Sequence, residues 1–269
     1  MSPSTTAPSS VTTRPTPPPI TASAHNDGKP HLLLTASGSV ATIKIPNIIT
    51  ALAAHPRLSI RVVLTPSASR FLDGQAAEQP SLAAIAALPN VDGVYLDEDE
   101  WREPWVRGNS ILHIELRRWA DLMVVAPLSA NTLAKMVNGI SDGLLLSVVR
   151  AWDSTGQLDP VRLSQSDASA NGGGVNLGTA EGGEAGLVAP RQKRIIVAPA
   201  MNTAMWVHPI TAKQIRVLEE EWGVGNGGWV EVLRPVEKRI ACGDTGTGGM
   251  KEWKDIVSVI EERMELNND

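Results

Sequence analysis

Short apolar runs of strand type alternate with segments of helical period along most of the chain. The apolar runs occupy residues 31–36, 59–65, 94–96, 122–126, 194–199 and 229–233. Apolar residues at helical spacing follow at 40–55 and 81–88, after residue 132, and at 208–222 and 250–266. This alternation predicts an α/β fold with a parallel sheet, in which right-handed crossovers place helices on both faces.

The expected architecture is a Rossmann-like or flavodoxin-like, doubly wound sheet of about six parallel strands. Small polar residues follow three of the strands where helices begin, at residues 37–39, at Ser67 and at residues 129–132. Backbone N–H groups and the positive ends of helices meet there, which predicts anion binding at the carboxyl edge of the sheet. The alternative is a set of ordinary βα turns whose Ser and Asn side chains only cap helices. The first turn lacks GxGxxG and no acidic residue ends the second strand, so NAD is disfavoured.

Several segments fall outside the strand–helix pattern. Residues 1–30, rich in Ser, Thr and Pro, are predicted to be a disordered tail because they bury too little apolar surface. Residues 153–193, rich in Gly, Ala and Ser, are predicted to form a flexible insertion within one domain spanning 31–269. Residues 236–249 are expected to form a Gly-rich loop, and the acidic loop at 97–105 is either a solvated surface or functional.

Composition narrows the functional classes. The 269 residues carry a formal net charge of −5, which argues against a nucleic-acid surface. No apolar run is long enough to span a bilayer, and the N-terminus lacks the apolar core of a signal peptide. The one cysteine, Cys242, excludes an internal disulfide and fits a reducing compartment, so we expect a cytoplasmic protein. No metal site is expected.

Four motifs together resemble the flavin-dependent cysteine decarboxylases, the family of phosphopantothenoylcysteine decarboxylases and halotolerance flavoproteins. The motifs are GSVATIKIP from Gly38, HIELRRWADLMVVAPLSANTLAKMVNGISD from His113, PAMNTAMW from Pro199 and ACGDTGTGGM from Ala241. The resemblance covers residues 31 to about 260, apart from the insertion. It implies an FMN enzyme of coenzyme A synthesis that converts 4′-phosphopantothenoyl-L-cysteine to 4′-phosphopantetheine. We expect no fused synthetase domain.

The resemblance also implies where FMN binds. The cofactor-binding residues that match the family are Gly38, Ser39, Val40, Ser67, Ser129, Ala130, Asn131 and Thr132. Their chemistry suits a phosphate dianion, because neutral donors at helix starts bind it without a buried counter-charge.

Three catalytic residues are implied by matching the motifs. His113 matches the family's histidine, the base of a first step that oxidises the substrate thiol, and imidazole titrates near neutrality. Asn202 matches the residue that holds the substrate carboxylate, and Cys242 the residue that serves in the final reduction and protonation. Each residue also has a structural alternative. His113 could be a packed histidine at a helix start, Asn202 a helix N-cap and Cys242 a buried, inert side chain.

Further expectations concern the substrate and the assembly. Met201, Met205 and Ala241, together with Asn202, are predicted to contact the substrate, although Met201 is equally plausible as a core side chain. The family assembles as a trimer with sites between subunits, so a homotrimer is expected. The alternatives are a regulatory subunit that inhibits a protein phosphatase, a member of a mixed trimer with a paralogue, and a peptidyl-cysteine decarboxylase or flavin prenyltransferase. The ACGD loop argues against the last two enzymes.

Overall fold

The computed structural model describes residues 14–20, 22–158, 192–239 and 245–266. Six parallel strands form one sheet in the order β3-β2-β1-β4-β5-β6, which confirms the predicted doubly wound architecture. These strands are β1 His31–Ala36, β2 Ser59–Leu64, β3 Val91–Tyr95, β4 Leu122–Leu128, β5 Arg194–Pro199 and β6 Val230–Val232. The strand order reverses between β1 and β4, so their carboxyl ends flank the crevice at which open α/β sheets bind ligands.

Helices connect the strands within the described ranges. The α-helices are α1 Ala22–His25, α2 Ile45–Leu52, α3 Pro66–Ser69, α4 Leu82–Ala86, α5 Asp97–Glu100, α6 Leu112–Trp119, α7 Ala130–Val137, α8 Leu144–Ala151, α9 Thr203–Trp206, α10 Pro209–Arg216 and α11 Trp253–Arg263. Val40–Lys44 and Val224–Asn226 are 3₁₀-helices, and Val217–Glu221 is a π-helical turn. None of the described helices has the length and apolar character needed to cross a membrane.

Two apolar cores cover the two faces of the sheet. Alternate residues of a strand point to opposite faces, so Leu32 and Leu34 enter one core and Leu33 the other. Helices α2, α4 and α11 pack on the first face, and helices α6, α7, α8 and α10 pack on the second. Because the central strands are covered on both sides, they read as continuous apolar runs rather than as alternating patterns.

The segment predicted to be a Gly-rich loop differs from the prediction. Strands β7 Val236–Arg239 and β8 Thr245–Gly249 pair antiparallel, and residues 240–244 between them lie outside the described part of the chain. Gly248 adopts φ +117°, and a Cβ there would lie 2.7 Å from the carbonyl oxygen of Met201. Gly248 therefore allows a paired strand to approach another segment of backbone closely, and it does not mark an unpaired loop.

The predicted disordered tail also differs where the structure describes it. Ile20 is buried in the second core, and the carbonyl oxygen of Pro18 accepts a hydrogen bond from the hydroxyl of Tyr95. Arg14 forms an ion pair with Asp99. One isoleucine and one arginine with buried partners hold this Pro-rich segment against the domain, although its mean composition is polar. Residues 1–13 lie outside the described residues.

Both ends of the predicted insertion are held by buried polar contacts. The Asp153 carboxylate accepts hydrogen bonds from three backbone N–H groups, including that of Leu158 at 2.7 Å. At the other end, Lys193 Nζ donates to the carbonyl oxygen of Arg118 at 2.9 Å, and its own carbonyl accepts from the Trp152 indole. Residues 159–191, which contain most of the predicted insertion, lie outside the described residues, so its flexibility stays a prediction.

Candidate active site

The turns after β1 and β4 are joined by one buried serine. Ser37 donates from its backbone N–H and from its hydroxyl to the carbonyl oxygen of Pro127, both at 3.0 Å. The same hydroxyl accepts from the N–H of Ser129 at 2.8 Å. Since these bonds satisfy polar groups at both strand ends, the two helix starts that follow are held side by side.

Serine side chains begin the helices on both sides of this junction. Ser39 precedes the 3₁₀-helix and accepts from the N–H of Ala41, at 3.4 Å. Ser129 caps α7 by accepting from the N–H of Thr132 at 3.3 Å, and its hydroxyl donates to the Thr132 hydroxyl. Ser129 therefore does cap a helix. Ala130 and Asn131, whose backbone N–H groups have no acceptor within the helix, line the cavity.

Ser67, the serine predicted to follow the second strand, packs against Gly38 in the turn after β1. A Cβ on Gly38 would lie 2.4 Å from Ser67 Oγ and 2.7 Å from Ser67 Cβ, closer than real side-chain contacts allow. The Ser67 hydroxyl lies 3.2 Å from that of Thr65. Gly38 is thus required because the turns after β1 and β2 nearly touch.

The PAMN motif forms the turn after β5. Asn202 precedes α9, and its Oδ1 accepts from the N–H of Met205 at 2.9 Å. The N–H of Met201 donates to the carbonyl oxygen of Gly248 at 2.9 Å, so β8 is attached directly to this turn. With Oδ1 used as a cap, the amide Nδ2 of the exposed Asn202 is the group left for a ligand.

These turns open into one cavity of about 1050 Å³, at the upper end of the range for small-molecule sites. The predicted residues that line it are Gly38, Ser39, Val40, Ser67, Ser129, Ala130, Asn131, Met201, Asn202 and Met205. The lining residues that sequence reasoning missed include Ile43, Lys44, Phe71, Ala200, Lys251 and Trp253. Ile43 and Lys44 lie three and four residues after Val40 in one predicted helix, and this spacing could have placed them on the same face. Nothing in the sequence around Trp253 indicated that it lines the cavity.

The donor set fits a phosphorylated, flat cofactor of the flavin type. Hydroxyls and helix starts cluster where β1 and β4 end, while Ile43, Phe71 and Trp253 supply apolar and aromatic wall. Lys44 and Lys251 are the cationic side chains along the lining, and Lys251 Nζ lies 3.4 Å from an Asp255 carboxylate oxygen. A phosphate in this cavity would have hydroxyls and helix starts as neutral donors, with two lysine side chains on the same lining.

Some predicted residues lie elsewhere. Thr132 is buried in the first turn of α7 and contacts Ser129 rather than the cavity. His113 lies in the first turn of α6 and does not line the cavity within a single chain; its Nδ1 is 2.9 Å from Glu100 Oε1. Ala241 and Cys242 lie outside the described residues.

The acidic segment near His113 is not merely a solvated surface. Its first four residues form α5, and Asp97 Oδ1 accepts from the N–H of Leu144 at 2.8 Å, which caps α8. Burial raises the pKa of the Asp97 carboxyl above its ordinary value, and the neighbouring carboxylates of Glu98 and Asp142 act in the same direction. The bonded carboxylates therefore fix this segment against the helical layer.

Known proteins resemble the chain over most of its length. The Flavoprotein family matches residues 20–163 and 184–265. Phosphopantothenoylcysteine decarboxylase of Arabidopsis thaliana is 37% identical over 232 residues, covering 86% of this chain and 84% of that protein. Coenzyme A biosynthesis protein 3 of Saccharomyces cerevisiae is 36% identical, covering 89% of this chain and 34% of that protein. The chain spans about a third of this yeast protein and of a probable thymidylate synthase of Schizosaccharomyces pombe.

Solved structures show the same relationship. A cysteine-to-serine mutant of PPC decarboxylase complexed with pantothenoylaminoethenethiol has a TM-score of 0.63 and 35% identity, covering 88% of this chain and 99% of that chain. The FMN binding protein AtHal3 has a TM-score of 0.61 and 37% identity, covering 88% and 97%. The predicted resemblance is thereby confirmed. The matched residues, the sheet order and these identities show that this chain belongs to the Flavoprotein family.

Proposed function

We propose that this protein is an FMN-dependent enzyme that decarboxylates 4′-phosphopantothenoyl-L-cysteine to 4′-phosphopantetheine in coenzyme A synthesis. The observation that carries the proposal is the single cavity at which the turns after β1, β4 and β5 meet. Relatives named phosphopantothenoylcysteine decarboxylase align over most of the chain, and a structural relative is named an FMN binding protein.

The polar end of the cavity is the proposed FMN phosphate site. The residues that would hold the cofactor are Gly38, Ser39, Val40, Ser67, Ser129, Ala130, Asn131 and Thr132, of which Thr132 acts by fixing the Ser129 hydroxyl. FMN would supply a temporary hydride acceptor, a chemistry that side chains lack and that lets a reaction with no net redox change proceed.

Asn202 is proposed to hold the substrate carboxylate through its free Nδ2 group. A neutral amide suits this task, because a lysine or arginine would stabilise the carboxylate that must be lost on the way to the transition state. Met201 and Met205, which line the same part of the cavity, are proposed to contact the rest of the substrate.

His113 is proposed to act in the first step of the reaction, and Cys242 in the last. His113 would take the thiol proton as the substrate is oxidised, and Cys242, preceded by Ala241 at the substrate, would act when the decarboxylated product is reduced and protonated. Because His113 does not line the cavity of its own chain, a homotrimer that places it at a neighbour's cavity is part of the proposal.

The test is to purify the protein and assay it with the phosphorylated substrate. We expect a yellow protein that binds FMN, releases CO₂ and forms 4′-phosphopantetheine. Colourless protein that takes up no FMN would reject the cofactor, and FMN-loaded protein that releases no CO₂ would reject the reaction. We expect the activity to reside in the cytoplasmic fraction of the cell.

A regulatory role is the second candidate, favoured by the relatives named HAL3. A HAL3 structure from Cryptococcus neoformans is 32% identical, with a TM-score of 0.61 and coverage of 90% of this chain and 100% of that chain. The alternatives are inhibition of a protein phosphatase and membership of a heterotrimeric decarboxylase. Phosphatase activity measured with and without the pure protein separates inhibition from catalysis, and purification from the native host reveals any paralogue subunit.

A further inference from the structure

Helix α5 carries four consecutive carboxylates, and three of them are bonded to other groups. Asp97 caps a neighbouring helix, and Asp99 forms ion pairs with Arg14 and Arg102. The side chain of Glu98 is 67% exposed, and its one ion pair among the described residues is a long contact of 3.8 Å with Arg14. The fourth carboxylate, Glu100, needs a separate explanation because its partner is a histidine rather than a backbone group or an arginine.

The Glu100 side chain is only 5% exposed, and its two oxygens differ. Oε1 lies 2.9 Å from Nδ1 of His113, whereas Oε2 is buried and has no hydrogen-bond partner among the residues that the structure describes. A buried carboxylate oxygen without a partner costs free energy, so a pair that served stability alone would be poorly made. The position of the carboxylate therefore favours its contact with His113 at the expense of a hydrogen bond to its second oxygen.

The geometry decides which ring nitrogen of His113 carries the proton. A carboxylate accepts hydrogen bonds only, so Nδ1 must be the donor, and in the neutral ring Nε2 then holds the lone pair. Within the described part of the chain, no hydrogen bond occupies Nε2, and the His113 side chain is 23% exposed. Nε2 is consequently free to accept a proton from a molecule outside the chain.

We propose that Glu100 is a positioning residue for His113. It fixes the ring orientation and the Nδ1–H tautomer, and it stabilises the imidazolium that forms after Nε2 takes a proton. This inference rests on the proposed function, in which His113 is the base of the first step. Glu100 itself touches neither the cavity nor, in this proposal, the substrate.

The first test reads the tautomer directly, without turnover. In protein labelled with nitrogen-15 histidine, at a pH where the ring is neutral, we expect a hydrogen-bonded Nδ1–H signal and a bare Nε2 for His113. The signal is assigned by its absence in His113→Asn. A His113 ring protonated on Nε2 and bare on Nδ1 would overturn the proposal, whatever any variant does.

The second test changes the carboxylate and keeps its shape. Glu100→Gln should lose part of the Nδ1–H signal and lower kcat on the order of 10²-fold, the lower range for a general base. KM should change by no more than about twofold, because Glu100 does not line the cavity. Glu98→Gln, on the same helix but exposed, is the matched control and should behave as the wild type. Flavin content and thermal unfolding establish that each variant is folded.

The outcomes separate this inference from the proposed function. If His113→Asn turns over normally, the role of His113 fails and the role of Glu100 fails with it. If His113→Asn is inactive while Glu100→Gln keeps the wild-type kcat and the wild-type tautomer, only the positioning role is overturned. The expected result is that Glu100→Gln loses kcat and has an altered Nδ1–H signal, whereas Glu98→Gln keeps both as in the wild type.

Discussion

At the scale of single residues, a glycine and a serine from different turns approach closely in the site. The missing Cβ of Gly38 leaves space that Ser67 occupies, so residue size, rather than glycine's backbone freedom, is the constraint at this position. Sequence reasoning selected both residues through their motifs, but it had no means of finding that they touch.

Gly38→Ala should destabilise the protein by about 1–3 kcal/mol, the usual range for forced overpacking, and should weaken FMN binding. The new methyl group would fall 2.4 Å from Ser67 Oγ. Thermal unfolding of the flavin-free protein measures the effect. The double variant Gly38→Ala with Ser67→Gly should regain stability because both colliding atoms are removed, and an undisturbed single variant would refute the contact.

The one tyrosine of the chain provides a second residue-scale prediction. Burial raises the pKa of Tyr95 to about 12 from its ordinary value of 10.0, although Arg61 acts in the opposite direction. The folded state therefore binds this proton more tightly than the unfolded state between pH 10 and 12. Tyr95 consequently contributes stability below pH 10 that is lost as the pH rises towards 12.

Tyrosinate absorbance reports this group without interference from another tyrosine. In flavin-free folded protein we expect the absorbance change near pH 12, and in unfolded protein near pH 10. Tyr95→Phe should abolish the signal in both states. Titration of the folded protein near pH 10 would contradict burial of the hydroxyl.

At the scale of elements, a serine at a helix start can cap the helix, and it can also bind FMN. Comparing Ser129 with Ser81 separates these two roles. Ser129 begins α7 at the cavity, and Ser81 begins α4 away from it, each accepting one N–H of its own helix at 3.3 Å. The capping bond is the same in both helices, although the Ser129 hydroxyl also donates to that of Thr132. FMN affinity is therefore the measurement that separates the capping role from ligand binding.

Ser129→Ala and Ser81→Ala should each cost about 1 kcal/mol in thermal or denaturant unfolding, the typical value for a lost N-cap. Only Ser129→Ala should also raise the Kd for FMN, as measured by flavin fluorescence quenching. Equal FMN affinity in the two variants would reduce Ser129 to a helix cap.

At the scale of the whole molecule, the proposed catalytic groups that the structure describes are divided between the cavity and the first turn of α6. Asn202 lines the cavity and His113 does not, so a single chain would lack one of the proposed catalytic groups at the cavity. This separation is expected if neighbouring subunits complete each other's sites.

Coexpression of His113→Asn and Cys242→Ser chains tests shared sites. Each homomeric variant should be unable to form 4′-phosphopantetheine, and mixed assemblies should regain part of the activity because some sites draw one intact residue from each chain. Coexpression of two separately tagged His113→Asn chains is the control. Mixed assemblies that form but stay inactive would show that the sites are not shared.

The sequence by itself determined the sheet and about half of the residues that line the cavity. Apolar runs predicted β1 and β5 to the residue, because strands buried on both faces contain few polar positions. The motifs placed Ser129 and Asn202 at strand ends, where a doubly wound sheet gathers its ligand groups whatever the details of packing.

Only the tertiary structure decided contacts that join distant parts of the chain. Trp253 enters the cavity wall, Ile20 enters the core from a segment predicted to be disordered, and Glu100 meets His113 from a different helix. Local pattern carries no information on such pairs, because their energy comes from burial and hydrogen bonding that exist only once the chain has folded.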